Sequence, residues 1–88
     1  MNMNSDIEKY WNKLKNQRDE MQVQAHLARA EFGDEWEEVE EKWQKAEQKF
    51  NRIQDHAVET TTEMRLSAKI IMGEIANTYD RIKVRLNN

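Results

Sequence analysis

Along almost the whole chain, apolar residues recur at alternating steps of four and three, the repeat that lays one stripe of an α-helix against a partner helix. The first run is Ile7, Trp11, Leu14, Met21, Ala25, Ala28 and Phe32, and Arg18 takes the one seam position that is not apolar. Trp36, Val39, Trp43, Ala46, Phe50, Ile53 and Ala57 continue it. After a threonine at position 60 or 61 comes a third run, Met64, Ala68, Ile71, Ile75, Tyr79, Ile82 and Leu86. Two places break the alternation, Ala28 to Trp36 and Ile71 to Tyr79, where two steps of four follow one another and the stripe loses its left-handed drift.

Sheet-rich folds need turn residues roughly every ten positions. Here there is no proline, and Gly33 and Gly73 are the only glycines. The fold class is therefore all-α, in a single small helical domain over the 88 residues. A mean hydropathy of -1.10 would by itself suit a disordered chain. The net charge of only -3 and the three regularly spaced tryptophans instead mark apolar surface meant for burial.

Helix boundaries follow from capping chemistry. Ser5 with Glu8 three residues later forms a capping box, so a helix is expected from about Ser5. Thr60-Thr61-Thr62-Glu63 offers a second start, and three adjacent β-branched residues lower helix propensity there, placing a turn near residues 57 to 61. Phe32-Gly33-Asp34 is a third possible break, with glycine ending one helix and Asp34 capping the next. The uninterrupted step from Phe32 to Trp36 favours a glycine tolerated inside the helix at a cost of about 1 kcal/mol.

Charge indicates how the pieces pair. Residues 1–33 are neutral, residues 34–60 carry -5 and residues 61–88 carry +2. A reversal near residue 59 sets the acidic stretch Asp34 to Glu41 beside Arg81 to Arg85. It also brings Trp36 opposite Ile82, Val39 opposite Tyr79, Trp43 opposite Ile75, Phe50 opposite Ala68 and Ile53 opposite Met64. The expected architecture is an antiparallel helical hairpin or coiled coil, with a long helix over about 5–57 and a second over about 61–86. The first helix would be roughly 80 Å long at 1.5 Å per residue. Its amino-terminal half would overhang the hairpin with Trp11, Leu14 and Met21 bare, which demands a second copy in a dimer or tetramer. The alternative is a monomeric three-helix bundle with a break at Gly33. The narrow stripe of the middle segment, crowded by Glu37, Glu38, Glu40 and Glu41, weighs against it.

Little points to catalysis. Without cysteine there are no disulfides, thiolate metal sites or cysteine nucleophiles. His26 and His56 lie thirty residues apart, and neither the H-x-x-x-H nor the H-E-x-x-H spacing of zinc helices occurs, so both are expected to face solvent. Ser5 is accounted for as a cap, and Ser67 has no histidine or lysine pattern to activate it. Neither glycine belongs to a phosphate-cradling loop. The carboxylates of Asp34 to Glu41 lack the encircling oxygens that calcium requires and read as a solvated helix face. No cofactor and no metal site are expected.

Lys69, Arg81, Lys83 and Arg85 could meet phosphates, but the pI near 5.4 disfavours nucleic-acid binding. No stretch reaches the length of a membrane span, and the polar Met1 to Asp6 lacks the features of a secretory signal, so a cytoplasmic setting is expected. The expected function is that of a non-enzymatic coiled-coil structural or protein-interaction module, acting by self-association and by binding another protein. Its interface residues are Ile7, Trp11, Leu14, Met21, Phe32, Trp36, Val39, Trp43, Phe50, Ile53, Met64, Ile71, Ile75, Tyr79 and Ile82. A small acidic regulator that binds or mimics nucleic acid is the alternative.

Overall fold

The computed structural model describes residues 3–56 and 61–87, with side chains from residue 6 onward. It contains three helices, α1 (Met3–Val23), α2 (Ala25–Asp55) and α3 (Thr62–Asn87), and no strand among the described residues. They pack as a three-helix bundle measuring 44 × 22 × 16 Å.

Pairs across the helices give their directions. Tyr10 lies against Gly73, Gln17 bonds to Asp80, and Glu20 pairs with Lys83, so α1 and α3 run parallel. Gln54 bonds to Glu8, Trp11 stacks on Phe50, and Arg18 pairs with Glu40, so α1 and α2 are antiparallel. Lys42–Glu74 and Arg85–Glu35 make α2 and α3 antiparallel.

The continuous first helix over 5–57 is not what the chain forms. It leaves the α-helix at Gln24 (φ -105°, ψ 10°), where the Gln24 N–H bonds to the Met21 carbonyl and the Ala28 N–H to the Gln24 carbonyl. A second departure, at Phe32 (φ -133°, ψ 43°), kinks α2. The three-helix alternative placed its break at Gly33, one residue beyond this kink, and no glycine here adopts positive φ. The reason for the reversal is tertiary. A straight helix would leave Ile7, Trp11, Leu14 and Met21 in water, whereas the folded-back chain buries all four to 5% exposure or less. Burying such side chains contributes about 1.5–3 kcal/mol each, more than the helical hydrogen bonds given up at the corner.

Helix α1 begins at Met3, which puts Ser5 inside its first turn; the capping box expected of the Ser5 side chain lies outside the described residues. Most of the expected 57–61 turn also lies outside them. At its edge, Thr61 caps α3, its hydroxyl accepting the Met64 N–H at 3.2 Å. Glu63 sits one position too early for the reciprocal half of a capping box.

Gly33 is a weak point. A Cβ added there meets nothing within 4 Å and no positive φ opposes it. Gly33→Ala should therefore stabilise the fold by about 0.5–1 kcal/mol and raise Tm by roughly 4 °C. A lowered Tm in a thermal melt would show that the kink needs glycine beside Phe32.

Candidate functional site

Of the seam residues expected to form an interface, Ile7, Trp11, Leu14, Met21, Trp36, Val39, Trp43, Phe50, Ile53, Ile75, Tyr79 and Ile82 are buried within the single chain. Phe32 and Ile71 pack partly buried against this core, and Met64 is half-buried. Met72 and Thr78, which the repeat passes over, are buried instead. Both lie within the double four-residue step from Ile71 to Tyr79, where the stripe rotates around α3.

The aromatic residues hold α1 in place. Trp11 lies between Trp43 (ring centroids 4.6 Å apart) and Phe50 (5.0 Å), each at 20°. Such stacks add about 0.5–1.5 kcal/mol to the burial itself. With Trp11 5% and Trp43 7% exposed, their faces are occupied by each other. Nearer the corner, Trp36 of α2 meets Tyr79 of α3 at 6.0 Å and 47°.

Between these groups sits a polar node made from all three helices. Arg18, the seam exception of α1, reaches Glu40 of α2 at 3.2 Å and lays its guanidinium 4.8 Å above the Trp43 ring. Its Nε is buried without a hydrogen-bond partner, as are Trp36 Nε1 and the Tyr79 hydroxyl. Burial pushes the Tyr79 phenol up to about 12; the nearby Arg18 cation pulls it down and Glu40 pushes it up.

Tyr79 thus keeps its proton in the fold at pH values where a free tyrosine, with a pKa near 10, has lost it. The stability this contributes is fully present below pH 10 and is lost as pH rises from about 10 towards about 12, a change of roughly 2–3 kcal/mol. Urea unfolding at pH 9 and 11.5 should show this loss in the wild type, and Tyr79→Phe should lack it. Equal losses in both proteins would assign the alkaline transition elsewhere.

The outer faces differ in character. On α2, Asp34, Glu37, Glu38 and Glu41 are exposed and form no ion pair among the described residues, while Glu35 and Glu40 are taken up by Arg85 and Arg18. On α3, Leu66, Ile70 and Val84 are exposed. Between α1 and α3 runs a groove of about 430 Å³, lined by Tyr10, Leu14, Met21 and Ala76 with Gln17 and Asp80. His26 and His56 are exposed. Among the described residues, no group of three histidine, aspartate or glutamate side chains is placed to hold a metal ion. Among the described residues, no helix is long and apolar enough to cross a membrane.

Comparison with protein-family models, with curated proteins and with solved structures finds no match to the chain. The class that the geometry defines is an all-α three-helix bundle with an aromatic core and a half-buried polar node.

Proposed function

We propose that the chain is a non-enzymatic helical interaction module of the cytoplasm, acting by self-association and by binding another protein through its outer faces. The observation that carries this reading is the back of α3. Leu66, Ile70 and Val84 are 48, 64 and 59% exposed and stand at i, i+4 and i+18, on the side opposite the core residues Ala68, Ile75 and Tyr79. Leu66 and Ile70 stand one turn apart towards the start of this face and Val84 towards its end, apolar side chains suited to being covered by a partner.

Sedimentation velocity over a wide concentration range tests the first half, with mass expected to rise towards a dimer or tetramer. For the second half, capture from the native cell at physiological salt should recover a specific partner with the wild type and lose it with the double variant Leu66→Ser, Ile70→Ser. Recovery of no partner by the wild type counts against partner binding.

The unpaired carboxylates of α2 support a second reading, that of an acidic regulator which binds or mimics nucleic acid. Asp34, Glu37, Glu38 and Glu41 line one exposed face at i, i+3, i+4 and i+7. Competition between this protein and DNA for a basic DNA-binding protein, abolished by charge-neutralising substitutions on that face, would favour it. The binding version predicts a salt-sensitive mobility shift, and no shift at low salt disposes of it.

A further inference from the structure

We propose that two copies of this chain pair by exchanging α1: the corner from Gln24 to Phe32 straightens, and α1 of each copy docks on α2 and α3 of the other. The inference rests on the self-association proposed above and assigns it a geometry.

Three observations converge on the corner. First, it is made of residues that favour helix. Between α1 and α2 stands only Gln24, whose φ of -105° and ψ of 10° lie a short way from helical values, with no side-chain cap hydrogen bond. Residues 23–31 include neither proline nor glycine. Phe32 is the single non-helical residue inside α2. The reversal leaves Val23 and Leu27 exposed at 86% and 52%, and its own buried apolar side chains are the small Ala25 and Ala28, with Phe32 packed partly buried against the core. What holds it closed is the docking of α1.

Second, the apolar stripe does not stop at the corner. Met21, Ala25, Ala28, Phe32 and Trp36 continue the seam through both departures from helix. Once straightened, α1 and α2 would form one helix with its stripe on one side, the repeat that self-pairing helices use.

Third, the register inside the chain is the register a two-fold axis would generate. Trp11 with Phe50, Glu8 with Gln54 and Arg18 with Glu40 are each centred close to residue 30. Two straight helices crossing antiparallel at that point reproduce each pair between copies. At the crossing, Ala28 of one copy faces Phe32 of the other, small against large. The contacts of α1 are thus available from either connection, and only the corner distinguishes the closed monomer from the exchanged dimer.

The chain lacks cysteine, so a pair can be introduced cleanly. Gln17→Cys with Asp80→Cys joins α1 to α3 at a place where the native side chains are 2.8 Å apart, and Glu8→Cys with Gln54→Cys does the same for α1 and α2. The chain is refolded at millimolar concentration, the dimer is isolated by size exclusion and crosslinked with a short bis-maleimide, and the product is run on a denaturing gel. Covalent dimer from both pairs is the expected result. A dimer whose crosslinks all lie within single chains overturns the exchange while leaving self-association standing. Monomer alone at every concentration overturns both. Gln24→Gly should raise the dimer dissociation constant about threefold for each of the two hinges, because glycine disfavours the straightened helix. A constant unmoved by that change also contradicts the exchange.

Discussion

Trp36→Ala should lower the free energy of unfolding by about 4 kcal/mol. Trp36 is 1% exposed and is the largest fully buried side chain of the chain, meeting Tyr79 across the boundary between α2 and α3. Truncation removes the indole from the core and leaves a cavity that three helices joined at a tight corner can close only partly. An 88-residue domain has a total stability on the order of 4–13 kcal/mol, so the substitution removes from about a third to all of it. Trp36→Phe keeps most of the volume and removes an indole N–H that has no partner, and it should stay within about 1.5 kcal/mol of the wild type. Urea unfolding followed by circular dichroism reads both. A cost below 1 kcal/mol for Trp36→Ala would place the side chain on an outer face.

The second large effect belongs to Arg18. Arg18→Ala should cost about 2–3 kcal/mol, because it removes together the ion pair with Glu40, the stack on Trp43 and the half-buried side-chain stem. The two charged side chains are about a quarter exposed, which reduces the penalty below the 3–5 kcal/mol typical of breaking a fully buried pair. Arg18→Met combined with Glu40→Gln keeps the packing and removes both charges, and should fall within about 1 kcal/mol of the wild type. A double-mutant cycle between Arg18→Ala and Glu40→Ala should return a coupling of about 1 kcal/mol. Loss of less than 0.5 kcal/mol for Arg18→Ala would mean that α1 does not dock on α2 through this residue.

The helices, their apolar faces and the opposed charges of α2 and α3 were legible because each is written in residues close in sequence. The four-three repeat marks Trp36, Val39, Trp43, Ile75 and Ile82, all buried, and the charge asymmetry anticipates Arg85 against Glu35. The expected register set Trp36 opposite Ile82; both are buried in the same core, where Trp36 also meets the Tyr79 ring.

Of the two departures that make the corner, the one at Gln24 was not legible, since Val23, Gln24 and Ala25 carry no turn chemistry and the compensating burial comes from partners twenty or more residues distant, whereas the one at Phe32 falls within the Phe32-Gly33-Asp34 break of the three-helix alternative. One trace of the corner did exist. The two four-residue steps around Phe32 coincide with the kink, as the corresponding steps at Ile71 to Tyr79 coincide with the passage of the core from Ile71 to Met72. The break in the period and the glycine beside it point to the same place. The polar node was visible only as an anomaly, Arg18 in an apolar seam, because its partners Glu40, Trp43 and Tyr79 come together only once α1 folds back.

That folding back is the central claim, and a distance between the far ends of α1 and α2 tests it directly. Spin labels at Glu8→Cys and Gln54→Cys, in chains diluted into an excess of unlabelled protein at low micromolar concentration, should lie within about 20 Å, since the native side chains are in hydrogen-bond contact at 3.0 Å. A continuous helix from residue 8 to residue 54 would separate them by roughly 70 Å at 1.5 Å per residue. A distribution centred at that distance in chains that sediment as monomers would contradict the three-helix bundle.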